Sequence, residues 1–424
     1  MLVLGLIVIF GLLFLGVPLF LAFTCGGTLL NTLYAGAPLS NVAHMMFQAL
    51  DSYVLMAIPF FILAGMIMTH SGLSELLVDF IDSWIGHLPG GIAIVLVVST
   101  MLFGAMTGSG TAAVAAIGLV IVPRMLELGY NKTFALGLIA ATAQLGVLIP
   151  PSIPMILFGA LTETPVADLF MAGLIPGIII GILLILVSVF ICKRNGWGMH
   201  PPCSWQERRD AFVKAIPVLI LPVIVLGGIY GGIFTATEAS FICTLYALIL
   251  AIIYRGIKIP DLINISASTL RTAGMLFLLV MSVIIFGKVM SYARIPHMLT
   301  EFVAGAGLSL SLFLLAIVMF YITVGFFAEV IIITYVTVPI LFSVMISMGV
   351  HPYQYAVIMT SAVIVASLTP PVGVNLYLAS GFFKEPLENV IKGALPFLAV
   401  EVVCLFLFAY FPFFSTWLPS LMSH

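Results

Sequence analysis

The amino-acid sequence predicts an all-α polytopic membrane protein made of two inverted repeats, each with a re-entrant hairpin and a broken helix. Of the 424 residues, 63% are apolar and 7% are charged, whereas about a quarter of an ordinary soluble domain is charged. The apolar residues fall into runs that can cross a bilayer. Glycine and proline positions of the first half recur in the second half at one constant spacing.

Ten apolar runs are predicted as membrane spans. Their approximate bounds are 1–15, 18–34, 52–70, 133–160, 169–192, 215–233, 238–254, 268–290, 353–383 and 394–416. A span needs about 20 residues, so the first run is short. No basic segment precedes it, which favours a retained helix over a cleaved signal peptide.

Two further apolar blocks, 90–123 and 308–348, are each too long for one span and somewhat short for two. Their centres are polar or rich in glycine, Gly104–Thr111 in the first and Gly325–Glu329 in the second. Non-helical backbone at membrane depth is tolerated only where protein or a water-filled cavity covers it. We therefore expect both blocks to be re-entrant hairpins.

An internal repeat divides the chain. The following residues recur 220 positions apart: Pro150 and Pro370, Pro151 and Pro371, Gly129 and Gly349, Gly173 and Gly393, Pro176 and Pro396, Gly36 and Gly256. We predict a first repeat at 1–192, a cytoplasmic linker at 193–214 and a second repeat at 215–424. Each repeat has five spans, an odd number, so the second repeat must be inverted in the membrane.

The positions of the basic residues predict the orientation. With the linker inside, 12 of the 14 Lys and Arg residues lie on the cytoplasmic side, as the positive-inside rule requires. Both termini then lie outside, hairpin 1 opens to the cytoplasm and hairpin 2 opens to the outside. Lys288 and Arg294 are the two exceptions.

A segment before hairpin 1, Leu73–Leu88, has apolar residues at helical spacing and the acids Glu75, Asp79 and Asp82 on the other face. This pattern predicts an amphipathic helix at the membrane surface. It is either an arm that links a fixed part to a moving part or a connector without a mechanical role.

The tandem prolines lie in the middle of the broken spans 133–160 and 353–383, within Leu148–Ser152 and Ser367–Asn375. Proline removes a backbone donor and unwinds the helix. The freed carbonyls and nearby side-chain oxygens are hard ligands that suit Na⁺, and the restarted helix points its positive end at the same region. One proline alone is explained by a kink. Two equivalent breaks, each paired with a polar hairpin tip, indicate a binding site.

Four charged residues in or beside the apolar segments are candidates for a role at the site or in the structure. Glu329 is the only acid in either hairpin tip, and burying a charge at that depth costs at least about 2.5–3.5 kcal/mol. It either coordinates a cation, carries a proton, accepts substrate hydroxyls or caps the return helix. Arg294 is either a carboxylate ligand or a lipid-phosphate anchor. Lys288 has a stem long enough to snorkel, and Glu401 is interpreted as structural or as an interface residue.

The sequence does not favour an enzyme. All seven histidines are expected in loops or near span ends, away from the hairpin tips, so Ser109 lacks a base for hydrolysis. Metal-ligand spacing and a P-loop are both absent. No basic cluster indicates nucleic acid. The five cysteines have no CxxC spacing and are interpreted mainly as packing residues.

Several motifs resemble one transporter family. They are FGAMTGSGTAAVAAIG at 103–118, LIPPSIP at 148–154, LFMAGLIPG at 169–177, FTATEA at 234–239 and LTPPVG at 368–373. Together they resemble the large membrane subunit of tripartite ATP-independent periplasmic (TRAP) transporters, DctM-like family, over essentially the whole chain.

This resemblance implies an elevator-type fold similar to the divalent-anion/sodium symporters, coupling to two or more Na⁺ ions, and a bacterial inner-membrane location with periplasmic termini. It also implies a separate small four-helix membrane subunit and a periplasmic substrate-binding protein as partners. The expected substrate is a small carboxylate-bearing organic anion, such as a C4-dicarboxylate, sialic acid or another sugar acid.

The expected site residues follow from the hairpin tips and helix breaks. The expected sodium-binding residues are Ser109, Gly110, Thr111, Ile149, Pro150, Ser152, Gly325, Ala328, Thr369, Pro370 and Gly373. The expected substrate-binding residues are Thr107, Ser109, Arg294, Glu329 and Asn375. Glu329 stands where many family members have Asp, and Arg294 matches a basic position that the resemblance links to the substrate carboxylate.

Two other functions stay open on the sequence. The first is a stand-alone Na⁺/dicarboxylate symporter of related fold, which would need no binding protein. The second is an anion channel, although hairpins that open to opposite faces favour alternating access.

Overall fold

The computed structural model describes residues 2–34, 36–197, 201–370 and 373–422, and all regular secondary structure in these residues is helical. The helices of the first half are α1 Leu2–Phe14, α2 Leu19–Leu33, α3 Leu39–Leu50, α4 Ala57–His70, α5 Leu73–Ile85, α6 Gly91–Thr107, α7 Gly110–Ala113, α8 Leu119–Glu127, α9 Lys132–Ala143, α10 Leu145–Leu148, α11 Ile153–Thr162 and α12 Val166–Asn195. A π-helical turn, Val114–Gly118, joins α7 to α8.

The second half contains ten helices in the described residues. Its helices are α13 Trp205–Tyr230, α14 Ala236–Arg255, α15 Ile259–Tyr292, α16 Ile295–Gly305, α17 Leu310–Gly325, α18 Val330–Ser347, α19 Pro352–Ser367, α20 Val374–Phe383, α21 Leu387–Tyr410 and α22 Phe413–Met422. A helix–break–helix element stands at each predicted hairpin and at each predicted broken span. The inverted relation of the two halves stays a prediction.

The described residues include nine helical segments that are long and apolar enough to cross a membrane. The predicted all-α, multi-pass character is therefore confirmed. Individual bounds differ from the predicted spans. Helix α13 begins at Trp205, inside the predicted linker, because Ser204 and Glu207 form a capping box at its start. The last predicted span, 394–416, is divided at Phe411, where the backbone is extended between α21 and α22.

Helix α3 is an element that hydropathy did not predict. Its polar residues, among them His44 and Gln48, interrupt the apolar run, yet Val42, Met45 and Ala49 are buried at helical spacing. Hydropathy averaged over a long window misses such a helix because its apolar stripe is narrow.

The helices pack in two groups that mix elements from both halves of the chain. The first helix group contains α1–α4 and α13–α15, with α2 and α3 against α15 and α4 against α14. The second helix group contains α6–α12 and α17–α22, with α9 against α21, α11 against α18 and α17 against α19. Both hairpins and both broken helices belong to the second helix group.

Two short amphipathic helices join the groups. Helix α5 packs against α13 of the first group and α6 of the second, and α16 packs against α15 and α18 in the same way. The helix predicted at Leu73–Leu88 is thus present as α5, with Leu73, Leu77 and Ile81 buried. Its counterpart α16 occupies the equivalent place before hairpin 2.

Glycine pairs allow the closest contacts inside the second helix group. A Cβ atom built on Gly104 would lie 2.3 Å from the Cα of Gly146, where α6 crosses α10. A Cβ atom built on Gly137 would lie 2.0 Å from the backbone carbon of Gly393, where α9 crosses α21. No side chain fits at such distances, so glycine is required for both crossings.

Candidate functional site

The tip of hairpin 1 is a tight turn between α6 and α7. Gly108 has φ +62°, and a Cβ atom built on it would lie 2.6 Å from the carbonyl oxygen of Pro151. Ser109 is the N-cap of α7, and its Oγ lies 3.0 Å from Oγ1 of Thr111. Glycine therefore lets the tip of hairpin 1 rest directly on the break in the neighbouring helix.

The first helix break runs from Ile149 to Ser152. Ile149 is extended after α10, and Ser152 caps α11 by accepting a hydrogen bond from the backbone N–H of Met155 at 3.4 Å. The Ser152 hydroxyl also donates a hydrogen bond back to the carbonyl oxygen of Val147. Ser152 is fully buried, so its hydroxyl closes the break instead of facing open space.

The tip of hairpin 2 is built differently. Helix α17 ends at Gly325, and Glu329 occupies the N-cap position of α18 without a side-chain capping hydrogen bond. The Glu329 side chain is exposed to the cavities described below. The alternative that Glu329 serves as a capping carboxylate therefore finds no support in the described hydrogen bonds.

The second helix break follows α19. Thr369 donates from Oγ1 to the carbonyl oxygen of Val365 at 2.8 Å. Gly373, with φ +40°, leads into α20. Asn375 is fully buried and donates from Nδ2 to the carbonyl oxygen of Ala140 in α9 at 3.1 Å. Pro371, the second proline of the predicted pair, lies outside the described residues.

Both hairpin tips and both broken helices meet at one small cavity of about 60 Å³, which we call the central cavity. Its lining residues are Gly108, Ser109, Gly110, Thr111, Gln144, Val147, Ile153, Pro154, Gly325, Ala328, Glu329, Val330, Ile331, Val363, Ser367 and Val374. A cavity of this size holds a few water molecules or an ion. The N-terminal residues of α11, α18 and α20 all border it, so three positive helix ends face the same space.

A larger cavity of about 440 Å³, the vestibule, lies between the two helix groups. Its lining residues are Ile62, Gly65, Met66, Thr69, His70, Thr107, Ser109, Thr111, Ala112, Ile153, Thr272, Leu276, Glu329 and Ile331. Ser109, Thr111 and Glu329 border both cavities. The vestibule is therefore large enough for a small organic molecule that reaches these three side chains.

The structure brings together seven of the predicted site residues. Those that line one or both cavities are Thr107, Ser109, Gly110, Thr111, Gly325, Ala328 and Glu329. Predicted residues that lie outside both linings are Ile149, Pro150, Ser152, Arg294, Thr369, Pro370, Gly373 and Asn375. Arg294 is exposed at the junction of α15 and α16, with φ +56°.

One histidine borders a cavity. His70, predicted near a span end, is the last residue of α4 and lines the vestibule together with Ser109, Thr111 and Glu329. The sequence of α4 carried a signal for this placement. Residues three or four apart lie on one face of a helix, and the α4 residues that line the vestibule follow this spacing: Ile62, Gly65, Met66, Thr69 and His70. The same spacing is typical of ordinary helix packing, so it did not single out this face.

The charge at the site is asymmetric. Among the described lining residues of the central cavity and the vestibule, Glu329 is the only acid and none is Lys or Arg. An anion bound here would meet the Glu329 carboxylate without a Lys or Arg side chain in the described lining. Helix N-termini, bound cations and the His70 imidazole of the vestibule are the groups that can supply positive charge.

Comparison with known proteins gives a consistent result over the whole chain. Residues 6–414 match the family model described as "Tripartite ATP-independent periplasmic transporter, DctM component". The chain is 35% identical to the C4-dicarboxylate TRAP transporter large permease protein DctM of Vibrio cholerae, covering 98% of this chain and 97% of that protein.

Two further relatives are similar at the same level. The chain is 34% identical to the sialic acid TRAP transporter large permease protein SiaM of Vibrio cholerae, covering 97% of this chain and 96% of that protein. It is also 34% identical to the ectoine TRAP transporter large permease protein TeaC of Halomonas elongata, covering 97% of each.

Among solved structures, the Alcanivorax borkumensis YdaH transporter is similar in fold. The TM-score is 0.64 at 12% sequence identity, and the match covers 89% of each chain. At this identity the likeness concerns the fold alone.

Proposed function

The chain belongs to the DctM component family of the tripartite ATP-independent periplasmic transporters, and from this premise we propose that it performs Na⁺-coupled uptake of a small carboxylate-bearing organic anion as the large permease subunit. It is a multi-pass membrane transporter and not an enzyme. The proposed substrate is a C4-dicarboxylate, sialic acid or another sugar acid. C4-dicarboxylate and sialic acid appear in the names of two relatives of this chain.

The convergence of both hairpin tips and both broken helices on the central cavity carries this proposal. Serine and threonine hydroxyls, together with backbone carbonyls at helix breaks, are hard oxygen ligands of the kind that Na⁺ prefers. The three helix N-termini at the cavity favour an anion. One site can therefore serve a cation and an anion side by side.

The charge asymmetry supports cation coupling. A carboxylate that approaches Glu329 is repelled, and the described lining offers no Lys or Arg to offset this repulsion. Na⁺ ions bound at the tips would lower the electrostatic free energy of the bound anion. Substrate binding that depends on Na⁺ is the expected consequence.

We propose an elevator mechanism in which the second helix group moves relative to the first. Both hairpins and both broken helices lie in the second group, and the vestibule lies between the groups. Helices α5 and α16 contact both groups, as linking arms would. The proposed partners are a small four-helix membrane subunit and a periplasmic substrate-binding protein. We place the chain in the bacterial inner membrane with both termini in the periplasm.

Uptake by the complete complex in proteoliposomes tests the proposal. Labelled succinate and labelled N-acetylneuraminate are supplied separately with the binding protein, with and without an inward Na⁺ gradient. We expect uptake to require Na⁺, to collapse with a Na⁺ ionophore and to be indifferent to ATP. Undiminished uptake without Na⁺ would reject the coupling. Mass spectrometry of the molecule bound to the partner binding protein would identify the substrate directly.

A further inference from the structure

The vestibule is followed by another cavity on the side away from the hairpin tips. This outer cavity has a volume of about 410 Å³ and is lined by His70, Ser71, Gly256, Ile257, Lys258 and Asp261. Among the described lining residues, His70 is the one shared by the vestibule and the outer cavity. His70 therefore lies where the two cavities adjoin, a place that we call the neck.

The hydrogen bonding of His70 leaves one ring nitrogen available. His70 is the last residue of α4, and its Nδ1 lies 2.9 Å from the carbonyl oxygen of Met66. A carbonyl oxygen only accepts hydrogen bonds, so Nδ1 is the donor in this contact. Nε2 then accepts a hydrogen bond when the ring is neutral and donates one when it is protonated. It can thus meet a substrate hydroxyl or a substrate carboxylate.

The face of α4 that leads to His70 runs along the vestibule. From Ile62 to His70 it extends about 12 Å at 1.5 Å per residue, a distance comparable to the length of a small organic acid. Gly65 permits a close approach to hairpin 1, since a Cβ atom built on it would lie 2.9 Å from the Thr107 side chain. Thr272 and Leu276 of α15, which packs against α4, also line the vestibule.

Charged side chains lie at the two ends of the route that the vestibule and the outer cavity form. Glu329 marks the inner end, and Lys258 with Asp261 marks the outer end at the start of α15. In the described lining between them, His70 is the one titratable side chain. An anion that leaves the central cavity in this direction passes His70 before it reaches Lys258.

We propose that His70 contacts the substrate at the neck of an exit path that leads from the central cavity through the vestibule to the outer cavity. This inference rests on the proposed function. The positions of the basic residues assign Gly256–Lys258 to the cytoplasmic side, so the path releases the organic anion into the cytoplasm. Because His70 belongs to the first helix group, it stays in place while the second group moves.

The test uses His70→Cys in the complete complex, with a membrane-impermeant, negatively charged methanethiosulfonate reagent applied to the cytoplasmic side. Lys193→Cys is the matched control, because Lys193 is also exposed and is predicted on the cytoplasmic side but lines none of these three cavities. Wild-type protein with its own five cysteines is treated in parallel. The probes are labelled succinate and labelled N-acetylneuraminate, one at a time.

We expect modification of His70→Cys to lower uptake at least tenfold, while uptake by wild type and Lys193→Cys changes less than twofold. Saturating amounts of the transported probe should slow the modification at least threefold. Complete modification, verified by mass spectrometry, with unchanged uptake would overturn the proposal, and so would a modification rate that the probe does not alter.

Two further measurements keep the proposal testable if the cysteine variant is poorly produced or if neither probe is transported. If His70→Cys is poorly produced, His70→Gln is compared with His44→Gln, because His44 is also exposed but lines none of the three cavities. A KM raised at least threefold for His70→Gln alone supports the contact, and an unchanged KM contradicts it. Failure of untreated wild type to take up either probe would count against the proposed function instead. The cytoplasmic accessibility of Cys at position 70 still reports whether the path is open.

Discussion

The two hairpin tips meet at one cavity, yet they differ in packing and in charge. The tip of hairpin 1 is made of glycine and hydroxyl residues, and Gly108 is buried against the carbonyl oxygen of Pro151. The tip of hairpin 2 carries Phe327, which is 73% exposed, and the exposed acid Glu329. Positions that lie 220 residues apart in the sequence therefore serve different physical tasks. Hairpin 1 should be sensitive to added volume and hairpin 2 to the loss of charge.

The largest effect is expected at the tip of hairpin 2. Glu329→Gln keeps the size of the side chain and its capacity for hydrogen bonding but removes the charge. We expect Na⁺-driven uptake in proteoliposomes to fall at least tenfold, while the complex still assembles. Glu329→Asp should be milder, since the charge survives with a shorter reach.

Glu301→Gln is the matched control for Glu329→Gln. Glu301 is an exposed acid of α16 that lines neither the central cavity nor the vestibule, so uptake should stay near normal. Uptake by Glu329→Gln equal to that of Glu329→Asp would show that no charge is needed at this tip. The proposed dependence of hairpin 2 on charge, which distinguishes it from hairpin 1, would then be wrong.

A smaller effect is expected from added volume at the tip of hairpin 1. Gly108→Ala places a methyl group against the Pro151 carbonyl oxygen and forces a positive φ on alanine. The positive φ costs roughly 1–2 kcal/mol, and overpacking adds about 1–3 kcal/mol. The thermal unfolding midpoint in detergent should fall markedly. Ala328, 220 residues later in hairpin 2, already carries a methyl group.

Gly232→Ala separates the two contributions. Gly232 also has a positive φ, of +67°, but a Cβ atom built there meets nothing within 4 Å. Only the backbone cost remains, so its midpoint should fall less than that of Gly108→Ala. Equal losses of stability in the two variants would mean that hairpin 1 is not tightly packed on the helix break.

The next effect concerns single hydroxyl groups. Ser109→Ala should raise the half-saturating Na⁺ concentration about threefold or more, because Ser109 lines both cavities and a lost hydrogen bond or ligand is worth about 1 kcal/mol. Thr369→Ala should change it less, since the Thr369 hydroxyl is held by the Val365 carbonyl oxygen and lies outside both linings. Unchanged Na⁺ activation in both variants would identify them as structural hydroxyls.

The sequence located the hairpin tips and the helix breaks because proline and glycine act on the backbone locally. It could not determine which side chains face the cavity. Asn375 was expected at the substrate, yet its amide donates to the Ala140 carbonyl oxygen in the other half of the chain. His70 was missed although it lines the vestibule. Side-chain direction depends on which helices become neighbours, and periodicity within one helix carries no such information.

The smallest effect is expected where the arms α5 and α16 differ. Asp79 of α5 pairs with Arg124 of α8 at 2.8 Å, so the first arm is tied to the return helix of hairpin 1. The described contact of the Glu301 carboxylate in α16, with Nδ1 of His297 at 3.5 Å, stays within its own helix. Asp79→Asn should lower stability by less than about 1 kcal/mol, because both partners are partly exposed and the attraction is screened by salt. Uptake should change less than twofold, and a thermal unfolding series at low and high salt measures the stability effect. A fivefold loss of uptake at unchanged stability would give this pair a role in the movement of hairpin 1, and the first arm would then differ from the second in mechanism as well as in contacts.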